Sequence, residues 1–174
     1  PGELHIFMGF TLVLEDDDTA LTTGLGMLGD GVFRIDLVAG TVSKVTPDFQ
    51  GYTWRDLVME TPGTLLAVGT DDTPEEGVYR IDVATGDVTA LSTDPAWQQL
   101  DGVAVTSAGD IYVADSGVCD EGGCTGGLVA HVDPVSGTRS VVRSGIFAGT
   151  LQIAVADPLA AACDDGVDND GDGV

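Results

Sequence analysis

The residues best equipped for chemistry stand near the C-terminal end. Cys163-Asp-Asp-Gly-Val-Asp-Asn-Asp-Gly-Asp-Gly173 sets Asp168, Asp170 and Asp172 at alternate positions ahead of Gly173. Alternate carboxylates along a curling loop converge on one hard cation, and a glycine lets the chain turn sharply between ligands. These three aspartates are therefore expected to be calcium ligands, with calcium as the implied cofactor. The later acidic ligands of such a loop, including the bidentate one, would lie beyond Val174, so this chain is expected to hold calcium weakly or not at all. The competing reading of the segment is a flexible acidic linker.

The cysteines come next. Cys119-Asp-Glu-Gly-Gly-Cys124 is a short glycine-rich separation that a disulfide can close, and no further Cys or His stands nearby to make a zinc set. A bridge there implies an oxidising compartment, extracellular or cell-surface. Cys163 is left over. Acidic residues also gather in three stretches, expected to be loops on one rim: Asp16, Asp17 and Asp18; Asp71, Asp72, Glu75 and Glu76; Asp115, Asp120 and Glu121. Such a rim attracts cations or a basic ligand, or keeps the protein dissolved. Asp56, Asp101 and Gln152 open three innermost strands and are expected to face a central channel. His131 falls where other repeats have Arg34 and Arg80, and is read as a surface residue. Trp54 and Trp97 are read as packing between repeats. No nucleophile elbow, phosphate loop or paired-histidine motif is present.

What positions these residues is an acidic, glycine-rich chain. Its 174 residues carry 29 acidic against 6 basic side chains, a formal charge of −23. Nucleic acid and anionic membrane surfaces would repel it, so both are poor partners, and no nucleic-acid partner is expected. No 18-residue apolar run could span a bilayer. Aspartate, 23 residues against 6 glutamates, is a turn former and a hard-cation ligand. Adaptation to high salt would give a similar balance.

The elements repeat. Gly31-Val-Phe-Arg-Ile-Asp36 returns as Gly77-Val-Tyr-Arg-Ile-Asp82 and, more loosely, as Gly127-Leu-Val-Ala-His-Val-Asp133. Each runs into an Asp-x-x-x-Gly turn, ending at Gly40, Gly86 and Gly137. In that turn the carboxylate accepts backbone N–H bonds and the glycine takes a left-handed conformation. Alternation within each copy has period two, so these are strands. Hairpins are expected over Gly31–Ser43, Gly77–Thr89 and Gly127–Val141. Strands Gly102–Thr106, Asp110–Ala114, Gly127–Asp133 and Thr138–Arg143 would make one complete repeat. The fold class is then all-β: a partial β-propeller of about three four-stranded antiparallel blades, plus one strand at Leu151–Ala156, with an irregular Asp-rich tail. Residues 1–157 form the blades and 158–174 the tail. Three blades cannot close a ring, and both ends look cut, so the chain is read as part of a longer protein whose remaining blades are partners.

Leu100-Asp-Gly-Val-Ala-Val-Thr-Ser-Ala-Gly-Asp-Ile-Tyr-Val-Ala-Asp115 resembles an NHL-type repeat, and Val132-Asp-Pro-Val-Ser-Gly-Thr-Arg-Ser-Val-Val142 the outer hairpin of such repeats in large bacterial secreted proteins. The tail is similar to thrombospondin type 3 calcium repeats. The resemblance implies a non-catalytic extracellular interaction module of a larger secreted or surface protein, binding an unidentified protein or small molecule. The alternative is a metal-dependent lactonase or lyase, since gluconolactonase-like propellers hold one divalent ion with channel carboxylates and an Asn; here Asp101 would be the channel ligand.

Overall fold

The computed structural model describes residues 11–24, 30–47, 53–70, 75–147 and 152–155. The tail that carries Asp168, Asp170 and Asp172, and Cys163 with it, lies outside them. So do Asp71 and Asp72.

Twelve strands make three separate four-stranded antiparallel sheets, each in simple sequence order. Blade 1 holds β1 (Leu12–Leu14), β2 (Thr19–Gly24), β3 (Gly31–Asp36) and β4 (Thr41–Lys44). Blade 2 holds β5 (Thr53–Thr61), β6 (Thr64–Thr70), β7 (Glu76–Asp82) and β8 (Val88–Ser92). Blade 3 holds β9 (Leu100–Val105), β10 (Ile111–Asp120), β11 (Gly123–Val132) and β12 (Arg139–Phe147). There is no helix among the described residues. Gln152–Val155, expected to be a strand of a fourth blade, join none of the three sheets.

The three expected hairpins are present, and one device builds all of them. Asp36 Oδ1 accepts the backbone N–H bonds of Val38 and Ala39 at 2.9 and 2.7 Å. Asp82 does the same for Ala84 and Thr85, and Asp133 for Val135 and Ser136. Each turn closes when its glycine N–H donates to the carbonyl of its own aspartate, at 2.8, 2.8 and 2.9 Å. The glycines have φ of 65°, 78° and 69°, a region that costs an L side chain about 1–2 kcal/mol. The N–H bonds favour the charged carboxylate, so Asp82 and Asp133 titrate below the ordinary range.

Period-two alternation sends each blade's side chains to two flanks, and both flanks are used. One apolar cluster joins Leu21 and Val32 of blade 1 to Leu57, Leu65, Ala67, Tyr79 and Ile81 of blade 2. Another joins Leu66, Val68 and Val78 of blade 2 to Val103, Ile111, Val113 and Val132 of blade 3. Trp54 sits in the first, edge-on to Tyr79 at 5.2 Å, and Trp97 in the second, so both tryptophans pack between blades as expected.

Candidate functional site

Two of the described carboxylates, Asp56 and Glu76, bridge one blade to the next. Asp56, on innermost strand β5, is buried. Its Oδ1 accepts the N–H of Leu57 and its Oδ2 the N–H of Val103 in blade 3, both at 3.0 Å. It also accepts a hydrogen bond from the Thr11 side chain on the approach to blade 1. One carboxylate thus touches all three blades where their inner strands meet. Burial raises its pKa, and the N–H and hydroxyl donors oppose that rise. Asp56 borders a cleft of about 400 Å³ lined mainly by β5, β9 and Gln152–Val155. Its walls are otherwise mostly apolar, including Leu57, Val58, Val103, Val105 and Ile153.

Asp101 does not join it. In the register of the sheets Asp56 corresponds to Gly102, so Asp101 occupies the position of Arg55 and projects to the other side of its strand. Asp101 is buried, with its two oxygens accepting from the Ser116 hydroxyl and from Gln99 Nε2, and Arg55 Nε lies 3.9 Å away. Gln152 lines the cleft, so of the three expected channel residues the structure brings together Asp56 and Gln152 only. Among the described residues no three His, Cys, Asp or Glu side chains are grouped to hold a metal.

The acidic rim needs correction. Asp16, Asp17 and Asp18 are exposed but join β1 to β2, the step that Pro62-Gly63 makes between β5 and β6. They therefore lie at the opposite end of the blades from the β6–β7 and β10–β11 connections. Asp115 is not in a loop. It is buried on β10, where its carboxylate accepts the N–H bonds of Gln98, Gln99 and Gly117. Strands β10 and β11 run on past it in unbroken register through Asp120↔Gly123, and Gly117, at φ 77°, has its place there because a Cβ would stand 2.1 Å from the Thr125 carbonyl oxygen. The lengthened hairpin carries Asp120 and Glu121 exposed at its tip, and the Cys119–Cys124 disulfide closes across it. Glu76, also expected in a loop, lies on β7. It pairs with Arg55 at 2.6 Å and accepts the N–H of Leu100, while Arg55 Nη1 donates to the Leu100 carbonyl at 3.0 Å.

The position shared by Arg34 and Arg80 is a seam position rather than a solvent face. Arg34 forks onto Glu15 at 2.8 and 2.9 Å and donates from Nη2 to the Val83 carbonyl of blade 2 at 3.4 Å. Arg80 repeats this with Glu60, at 2.7 and 2.5 Å, and with the Pro134 carbonyl of blade 3 at 2.7 Å. Paired carboxylates raise both guanidinium pKa values further. A basic residue recurring 46 positions apart on the same strand was the sequence signal for this clamp. In blade 3 the position holds His131, half-buried, edge-on to Tyr112 and 3.4 Å from Asp110.

The sequence matches no family profile and no curated protein. Solved structures do resemble the fold. A chain of the nidogen/laminin complex superposes with a TM-score of 0.65 at 10% identity, over 83% of this chain and 51% of that one. TolB from Acinetobacter baumannii gives 0.58 at 18% identity, over 79% and 33%. An oligogalacturonate lyase in complex with manganese gives 0.53 at 16% identity, over 75% and 38%. This chain thus spans about half or less of each. Together with the three ordered sheets these likenesses establish the fold as an all-β, β-propeller type.

Proposed function

We propose that the chain is a non-catalytic interaction module of a larger secreted or cell-surface protein, built on NHL-like propeller blades and followed by a calcium-binding tail. The observation that carries this reading is where the carboxylates go. Asp56, Asp101, Asp115 and Glu76 are each engaged with backbone N–H, hydroxyl, amide or guanidinium partners that join strands or blades. Carboxylates placed this way hold strands and blades together, which is what a binding scaffold requires. The Cys119–Cys124 bridge supports an oxidising compartment. Asp168, Asp170 and Asp172 are the proposed calcium ligands, and mutual repulsion among them disfavours the convergent form until a cation binds. The partner is a protein or small molecule reached through the propeller surface.

The rival is a lactonase- or lyase-like enzyme with a divalent ion in the channel. The half-apolar cleft beside Asp56 and the likeness to a lyase solved with manganese favour it. Calorimetry separates the two. Calcium titrated into residues 1–174 and into residues 1–157 should give heat, if any, that disappears with the tail and with an Asp168→Ala, Asp170→Ala double variant. Manganese binding that survives tail removal and is lost in Asp56→Asn would reject the module and support the enzyme.

A further inference from the structure

Blade 3 carries one stretch that the repeat plan does not require. In blade 2 the ladder between the second and third strands ends at Thr70↔Glu76, the places of Ser116 and Gly127 in blade 3. From there β10 and β11 continue through Val118↔Thr125, Cys119↔Cys124 and Asp120↔Gly123. This ribbon has a firm foot. Asp115 accepts the Gly117 N–H at 2.8 Å, and the Ser116 N–H donates to the Gln99 carbonyl at 2.9 Å. The buried Ser116 hydroxyl donates to Asp101.

Past the foot the support stops. Val118 to Gly126 are exposed, except for the half-buried Cys124, and none of them joins either apolar cluster. The ribbon holds Gly117, Gly122, Gly123, Gly126 and Gly127, and glycine gives up more chain freedom on ordering than any other residue. A two-stranded ribbon with no apolar face to bury is marginal in water. At the tip the Gly122 N–H donates to Asp120 Oδ1 at 2.7 Å, a bond within the turn itself. What ties the two strands together is the Cys119–Cys124 disulfide, which limits how far the open form can spread.

We propose that this disulfide is a redox-sensitive latch: a dithiol reductant converts Val118–Gly126 from an ordered ribbon into a loose loop while the three blades stay folded. Cys119 is exposed, so a thiolate from solvent can reach the bond. It attacks one sulfur, forms a mixed disulfide and releases the other cysteine as a thiolate. The reductant's second thiolate then displaces the remaining protein sulfur and closes into a cyclic disulfide. The protein gains two electrons and two protons, and the dithiol loses the same. In an oxidising compartment the ribbon stays ordered and presents Asp120 and Glu121 at a fixed place; where a dithiol acts, it does not. The inference rests on the ribbon's contacts and composition and is independent of calcium. The interaction-module reading uses only the presence of the bond, so it survives a latch that fails to open.

The test uses the 174-residue chain with Cys163→Ser, which keeps the third thiol out of exchange, before and after dithiothreitol. Alkylation of the folded chain should label both Cys119 and Cys124 after reduction and neither before it. Hydrogen exchange over residues 118–126 should quicken on the order of 30-fold on reduction, the ratio expected of so short a closure. Exchange in Leu65–Val68, Ile111–Ala114 and Ala130–Val132 should stay unchanged. A Cys119→Ser, Cys124→Ser variant should match the reduced chain with no reductant present. Unchanged exchange over 118–126 after full reduction would mean that the strands hold themselves, and would overturn the proposal. Loss of protection in Ile111–Ala114 together with the ribbon would make the bond a brace of blade 3 and overturn it equally. So would cysteines that resist dithiothreitol while the chain is folded.

Discussion

The seam between blades 1 and 2 and the seam between blades 2 and 3 bury similar apolar faces but differ in polar stitching. The first has the Arg34–Val83 bond at 3.4 Å, the seat of Gly86 on Val45 and the Thr11 bond to Asp56. The second has the shorter Arg80–Pro134 bond, the seat of Gly137 on Leu91, the Asp56–Val103 bond and two bonds from the Arg55–Glu76 pair to Leu100. Apolar burial brings blades together without fixing their mutual height, since it is non-directional. Hydrogen bonds to specific backbone groups set the height. Among the described residues the second seam has more of these bonds, so blade 1 is expected to open first.

Removing the shared carboxylate should have the largest effect. Asp56→Ala strands the N–H groups of Leu57 and Val103 in a buried place and should cost about 3 kcal/mol or more in urea unfolding. Asp56→Asn keeps an acceptor and should cost less. Its pH profile also differs in sign. Because burial raises the Asp56 pKa, the wild type loses stability as pH climbs from the unfolded value through the folded one, and the Asn variant should not.

The glycines sharpen the comparison next. Gly86→Ala and Gly137→Ala combine left-handed strain with a backbone collision and should each cost about 2–4 kcal/mol. Gly40→Ala carries the strain alone, about 1 kcal/mol. Thermal unfolding of the three variants measures the seat directly. Arg80→Ala should cost about 1–2 kcal/mol and Arg34→Ala less, because its carbonyl bond is longer and its pair more exposed. Equal losses would remove the distinction between the seams.

The smallest effect is that of acid on the turns. Asp82 and Asp133 have lowered folded pKa values, so their contribution is complete above the ordinary carboxylate value and is lost as pH falls through the folded one. An Asp82→Asn, Asp133→Asn double variant should have a flatter stability profile below about pH 4 than the wild type.

The hairpins were legible in the sequence because one turn chemistry recurs three times on period-two strands. The seams were half legible. Trp54 and Trp97 read as packing between blades, whereas Arg34 and Arg80 looked like surface residues, since alternation does not distinguish a flank facing water from one facing another blade. Asp115 misled for a related reason. Aspartate ends strands in most contexts, but here it holds three backbone N–H groups inside a strand that continues in register to Asp120. Asp16–Asp18 were placed on the wrong rim because the three-residue β1 is too short to show alternation. The Asp168–Asp172 motif is a matter of sequence still, resting on ligand spacing.

Native-state hydrogen exchange at rising urea tests the unequal seams most directly. Amides of β2 and β3 should exchange through a partial opening well below the free energy of global unfolding. Amides of β6, β7, β10 and the inner half of β11 should exchange together, near the global value. Loss of protection in blade 3 before blade 1, or one common opening for all three blades, would contradict the account.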